Sequence, residues 1–276
     1  FLVCYTVVAH LKGDFSMLEY ILNRVKDFNV GYFVNDLANA SKNLGILEAK
    51  IDSYQFDSIL IPMLQKKEAI SSMYIEGTQT TITDVLKNEI SPQPIDEKIQ
   101  VEVRNHIKTL IFGAEHLRTG KFTHTFIKQI HEYMMTGIIA HSLEKTLGKY
   151  KLKDNQIKSS TGTVVYTPPA ASETKKYMDE LLSFMNNSED GLNPLIKAAM
   201  IHSQFESIHP FSDGNGRIGR VLISLYLYKA KVINFPFFYI SEAINADKAV
   251  YYRMLTDSRT NSLDEWIKYF LHKVSV

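Results

Sequence analysis

Hydrophobic positions along the chain recur mostly three and four residues apart, the period of amphipathic helices. Phe15, Leu18, Ile21, Leu22, Val25 and Phe28 form one such series, and Leu37, Leu44, Ile46 and Leu47 a weaker one. Both read as helix packed against the main body. Phe56, Ile59, Leu60, Met63 and Leu64 begin a helix that Ile70, Met73 and Tyr74 continue and Gly77 ends, with Pro62 kinking or offsetting its start. A short helix follows, with Thr83 as its expected cap ahead of Asp84-Val85-Leu86. Ser91-Pro92-Gln93-Pro94 reads as a linker. Beyond it a long helix is expected over residues 96–118. Its inward set is Ile99, Val103, Ile107, Leu110, Ile111 and Ala114, and Gly120 marks its end. Thr123 should cap the next helix, which buries Phe126, Ile127, Ile130 and Met134.

The helical period breaks between residues 148 and 168. Thr161-Gly162-Thr163-Val164-Val165-Tyr166-Thr167-Pro168-Pro169 places a β-branched run beside glycine, which predicts a short strand or one arm of a hairpin. Periodicity returns over residues 172–185, with Tyr177, Leu181, Leu182 and Phe184. Asn193-Pro194 then reads as a cap and first turn, opening a helix with Leu195, Ala198, Ala199, Ile201, His202 and Phe205. Pro210 disfavours helical backbone at His209, so this helix should end near Ser207 or Ile208. In the next helix Ile218, Val221, Leu222 and Leu225 share one face, while Arg217 and Arg220 share another. After a buried, irregular turn at 233–239, Ser241 is expected to cap a helix containing Ile244. Residues 249–255 and 263–271 form the closing helices, with Trp266 inward.

At 276 residues the chain is long enough for one large core, or for a catalytic core with an appendage. Its 31 basic and 30 acidic residues leave a net charge of +1, so no global field points to nucleic acid or a membrane surface. One cysteine, Cys4, excludes an internal disulfide framework and a cysteine-rich metal site. Residues 1–9 are apolar but short for a membrane span, and no basic leader precedes them. A first residue of Phe1 rather than Met reads as a fragment or a processed product. The lone cysteine makes the cytoplasm the expected compartment.

The candidate chemistry lies at the junction of two predicted helices, His209-Pro210-Phe211-Ser212-Asp213-Gly214-Asn215-Gly216-Arg217-Ile218-Gly219-Arg220. Gly-Asn-Gly permits tight backbone geometry just before a helix start, where free N–H groups and the positive helix end form a cradle for phosphate. Two arginines in the first turns of that helix oppose its dipole unless an anion compensates them. Asp213 offers a hard oxygen ligand of the kind nucleotide-bound magnesium takes. His209 is the group there able to take a proton near neutral pH. The stretch lacks the Gly-Lys-Ser/Thr ending of a P-loop, and no hydrophobic strand feeds it. His116, His124, His141 and His202 lack metal-ligand spacing.

Residues 209–220 match throughout the signature loop and helix of the Fic (Fido) family, and the chain resembles that family. The resemblance implies an all-α Fic fold, a helical core with a short β-hairpin flap. It further implies an N-terminal helical region, 1–91, carrying an inhibitory helix at about 64–76, and a catalytic domain over 92–276. The implied activity is transfer of AMP from ATP, with Mg2+, to a Ser, Thr or Tyr hydroxyl of a protein, the chain itself included. In that scheme His209 takes the proton, Asp213 binds the metal, and Phe211 anchors the loop. Gly214, Asn215, Gly216, Arg217 and Arg220 bind phosphate. Ser72-Met73-Tyr74-Ile75-Glu76-Gly77 is similar to the family's inhibitory motif, which implies that Glu76 occupies Arg220 with Ser72 and Gly77 in support. Val164, Val165 and Tyr166 are implied to hold the target as an added strand. Asn245 and Tyr252 lie where the family often lines its adenine pocket, although either residue reads equally as core. Family pattern makes His131 a helix-packing position with no chemistry. Lys151, in Gly148-Lys149-Tyr150-Lys151, stands where the family usually has arginine. Competing readings are hydrolytic removal of AMP, transfer of another phosphate-linked group, and a non-catalytic regulatory protein. No nucleic-acid or membrane partner is expected, and a homodimer through an apolar helical face is compatible with the pattern.

Overall fold

A computed structural model describes residues 18–25, 28–53, 57–90, 97–159, 161–236, 238–260 and 262–276. Phe15, the 1–9 stretch, Phe56, the linker at 91–94, residue 96 and Phe237 lie outside the described residues, as do the side chains of Ile59 and Leu60. A single turn, α1 (Ile21–Arg24), precedes α2 (Val30–Ser53), α3 (Asp57–Ile75), α4 (Ile82–Ile90), α5 (Glu97–Leu117) and α6 (His124–Met135). A 3-10 turn, His141–Thr146, leads to strands β1 (Ile157–Lys158) and β2 (Val164–Tyr166), which pair antiparallel with an irregular register. Then come α7 (Thr174–Asn186), α8 (Pro194–Ile208), α9 (Asn215–Lys229), α10 (Ile240–Asn245), α11 (Lys248–Asp257) and α12 (Asp264–Ser275).

The pillar of the fold is α8. Asn193 accepts the Leu195 N–H at 2.9 Å and Pro194 occupies the first turn, as the sequence predicts. Every residue from Leu195 to Ile208 is buried, so the helix needs neighbours on all sides. It finds them in α7, α9 and α12, and Trp266 of α12 donates its indole N–H to the Ala199 carbonyl at 2.8 Å. Helix α3 lies across α5, α9 and α10. Ile21, Phe33, Ala40, Leu44 and Ile75 belong to the same core cluster as Phe211 and Leu222, while Ala69, Ile70, Met73 and Val85 form a second, smaller cluster with Val103. Among the described residues, no helix is long and apolar enough to cross a membrane.

Several local expectations need correction. The first amphipathic series yields one helical turn rather than a continuous helix, and Ile46 and Leu47 of the second are exposed. Thr81, not Thr83, caps α4, accepting the Asp84 N–H at 3.1 Å. Ser241 lies inside α10, where its hydroxyl and N–H both donate to the buried Glu68 carboxylate of α3. The buried stripe of α5 is rotated from the expected one: it includes Glu102, His106 and Thr109, and leaves Ile111 exposed. Pro62 sits inside α3 near its start and costs that helix a hydrogen bond without ending it.

Buried titratable groups set the pH response of the fold. Burial lowers His106 and His202 to about 3 and His131 to about 4; His209, with Nδ1 buried, is also held at about 4. Below about pH 6.5 the unfolded chain would bind protons that these folded rings refuse. Their contribution is therefore complete above about 6.5 and is lost as pH falls toward 4. Glu68 and Glu206, raised to about 7 by burial, act in the opposite sense. They retain protons that the unfolded chain releases above about pH 4.3, so their contribution is lost as pH rises through 7. The rings outnumber the carboxyls. Urea titrations should show stability falling between pH 6.5 and 4.5, on the order of 1 kcal/mol per pH unit; constant or rising stability would contradict this assignment.

Candidate functional site

The loop between α8 and α9 is built around one left-handed histidine and one buried phenylalanine. His209 closes α8 with φ 47° and ψ 60°. Pro210 disfavours right-handed helix there, and the backbone turns left-handed instead of adopting the commoner extended form. Phe211 is fully buried and stacks on His131 at 3.9 Å between ring centres. Asn215 spends its carboxamide on the Phe211 peptide: Oδ1 accepts the Phe211 N–H at 2.9 Å, and Nδ2 donates to its carbonyl at 2.8 Å. Gly214 sits at φ 79°, and a Cβ there would meet Met135 Sδ at 2.5 Å, so glycine is required twice over. Helix α9 starts at Asn215, and the N–H groups of its first turn have no partner within the helix.

Carboxylates of the chain supply the anions that the two arginines need. Arg220, 1% exposed, donates Nε–H to Ser72 Oγ at 2.9 Å and Nη2–H to the Ser72 carbonyl at 3.0 Å and Glu76 Oε1 at 2.7 Å. Arg217 pairs with Glu102 of α5, and its Nη2 lies 3.6 Å from Asp213 Oδ1. Its Nε is buried without a partner among the described residues. The guanidinium groups thus leave α9 in different directions.

Glu76 is delivered by the end of its helix. After Ile75 the Gly77 N–H bonds to the Tyr74 carbonyl at 3.1 Å and the Thr78 N–H to the Met73 carbonyl at 3.2 Å, with Gly77 at φ 100°. This paired closure stops α3 and leaves Glu76 at its negative pole, where a carboxylate without a cation would be unfavourable. Burial pushes the Glu76 carboxyl up, but the Arg220 charge and hydrogen bond outweigh it, and its pKa lies below the usual value. A Cβ at Gly216 would run into Glu76 Oε1. The tight approach of α3 therefore depends on a glycine of the signature loop.

His209 keeps Nδ1 buried without a hydrogen-bond partner among the described residues. Burial, and after it the nearby Lys151, lower its pKa to about 4 against a partial offset from the Glu206 carbonyl. Lys151 is buried and itself pushed down to about 8.

Residues 121–227 match the profile of the Fic/DOC family, and residues 34–115 that of the Fic/DOC family N-terminal region. The chain belongs to the Fic/DOC family. A probable protein adenylyltransferase of Aquifex aeolicus is 25% identical over 174 residues, 63% of this chain and 51% of that protein. The chain thus spans about half the length of that relative. The protein adenylyltransferase Fic of Aedes aegypti is 38% identical over 66 residues, 24% of this chain and 13% of that one. A solved Fic family protein from Desulfovibrio desulfuricans superposes with a TM-score of 0.74 at 23% identity, covering 90% of this chain and 74% of its own. Fic-1 of C. elegans gives 0.63 at 17% identity, covering 87% of this chain and 69% of its own. Both superpositions show the shared fold.

The remaining candidates take up definite places in this Fic fold. Val164 and Val165 are exposed on β2, whereas Tyr166 is half-buried with its ring 4.0 Å from the Arg259 guanidinium. Tyr252 donates its hydroxyl to the Ile75 carbonyl at 3.3 Å, against the last turn of α3, and Asn245 ends α10. The site also holds Glu102, which escaped the sequence reading, and His131, which that reading placed as helix packing. Glu102 was legible as a carboxylate at inward helical spacing next to Val103. His131 does more than pack: Nδ1 accepts the Gly148 N–H at 3.1 Å, which leaves Nε2–H to donate to the Asp213 carbonyl at 3.1 Å.

Proposed function

We propose that the chain is a protein adenylyltransferase, moving AMP from ATP to a Ser, Thr or Tyr hydroxyl of a protein, and that Glu76 restrains it by occupying Arg220. The observation that carries this reading is the pairing of Arg220 with Glu76 beside the open first turn of α9. A guanidinium already bound to a carboxylate beside a phosphate-type cradle suits a terminal phosphate once the carboxylate leaves. The names of the relatives support the same activity.

In this reading the backbone at Gly214, Asn215 and Gly216 surrounds the diphosphate. The carboxamide of Asn215 is committed to Phe211, so its share is the N–H of its own backbone and the shape of the loop. Arg217, with its unpartnered Nε, takes the β-phosphate, and Arg220 the γ-phosphate. Asp213 is a partly exposed carboxylate beside the cradle, and it fits Mg2+, which is commonly held by one or two carboxylates together with substrate phosphates. When bound, Mg2+ supplies charge neutralisation at those phosphates. With Nδ1 buried, Nε2 is the His209 nitrogen left to face an incoming hydroxyl and take its proton. The hydroxyl oxygen bonds to the α-phosphorus, the bond to the bridging oxygen of the β-phosphate breaks, and pyrophosphate leaves. Val164 and Val165 on the exposed hairpin arm offer an edge to which a target segment can add as a strand.

The test is label position. Glu76→Gly protein incubated with ATP labelled at the α-phosphate should leave label on protein, and ATP labelled at the γ-phosphate should leave none. Label retained from the γ-phosphate would mean phosphoryl transfer and would sink the reading.

A further inference from the structure

We propose that Asn155 is a positioning residue for His209, and that it ties the hairpin to the loop carrying the base. The inference rests on the functional reading above.

The carbonyl oxygens of the loop are drawn, nearly one after another, onto a neighbouring segment and its supports. Lys151 Nζ donates to the Ile208 carbonyl at 3.2 Å, and the Lys151 N–H to the Pro210 carbonyl at 2.8 Å. Asn155 Nδ2 donates to the carbonyls of His209 at 3.2 Å and Phe211 at 3.1 Å, and His131 takes the Asp213 carbonyl. Lys151 Nζ also donates to Asn155 Oδ1 at 2.8 Å, which fixes the amide with its oxygen toward the lysine and its NH2 toward the loop.

The two Asn155 bonds straddle Pro210 and grip the carbonyl of His209 itself. That residue is in the left-handed region, which disfavours a side chain and persists only where the surroundings hold it. Asn155 supplies that hold from two residues before β1 begins at Ile157. Ile157 pairs with Tyr166, so the hairpin and the base-bearing loop are joined by a short connection. A target held on the hairpin is thereby placed in register with the base.

Asn155→Asp isolates the donor. The variant keeps an oxygen for Lys151 but presents an acceptor, not an amide, to two carbonyls. In the Glu76→Gly background, kcat for AMP transfer should fall roughly 10- to 100-fold. The Kd for ATP, measured by calorimetry without a target protein, should stay within about threefold, because the cradle at 214–216 is held separately by Asn215 and His131. An unchanged kcat would overturn the inference, as would parallel losses of kcat, ATP affinity and thermal stability. If the aspartate variant does not fold, Asn155→Ser is read by the same two assays; failure of both to fold would assign Asn155 to the fold and overturn it equally. Absence of transfer by Glu76→Gly alone would defeat the functional reading, whereas transfer by that protein with Asn155→Asp unaffected would defeat this inference only.

Discussion

Replacing Glu76 by glycine should raise AMP transfer roughly 10- to 100-fold, because the change releases one guanidinium. Breaking a fully buried ion pair costs about 3–5 kcal/mol, and exposed pairs are worth about 0–1 kcal/mol. The Arg220 side chain is 1% exposed and that of Glu76 is 34% exposed, so this pair falls between those limits. An advantage of about 1–3 kcal/mol for the carboxylate over an incoming phosphate converts to the stated range. Ser72 stays on Arg220 in the variant and keeps its side chain pointed at α3. Equal rates for the parent and the variant, with ATP binding demonstrated in both, would remove Glu76 from its inhibitory role.

The largest expected effect runs the other way. His209→Ala in the Glu76→Gly background should lower AMP transfer about 10²- to 10⁴-fold, the usual worth of a positioned general base. ATP affinity should be nearly unchanged, since the cradle and both arginines remain. The pH profile carries a second check. Burial holds His209 at about 4 in the resting fold, so the ring is in its neutral, base form from about pH 5 upward. The acid limb of the released enzyme should therefore lie below the ordinary histidine value of about 6.5. A rate that survives loss of the imidazole would assign the proton to another acceptor.

What the chain made legible follows from how each feature is encoded. The loop at 209–220 and the pairing of Glu76 with Arg220 could be read because chemically distinct residues stand there at fixed spacing. Asn193-Pro194 and Thr123 cap their helices as expected because an N-cap requires one short polar side chain at one position. Thr83 and Ser241 misled for the same reason: each has a suitable hydroxyl, but Thr81, two residues earlier, stands directly ahead of the first helical residue and the buried Glu68 claims Ser241. The α5 stripe was misphased because apolar period alone weighed Ile111 above Glu102, and the reason for a buried carboxylate lies on α9. Asn155 and Lys151 sit in a segment with no period at all. Their worth comes from a loop more than fifty residues later, as the separations of 54 and 57 positions in their contacts with His209 and Ile208 make plain.

The central claim is that Glu76 and the terminal phosphate of ATP compete for one guanidinium, that of Arg220. Calorimetric titration of the parent and Glu76→Gly proteins with ATP and with ADP measures this competition directly. ATP should gain roughly tenfold or more in affinity on loss of Glu76, while ADP, which lacks the third phosphate, should change little. Equal gains for both nucleotides, or none for either, would contradict the account.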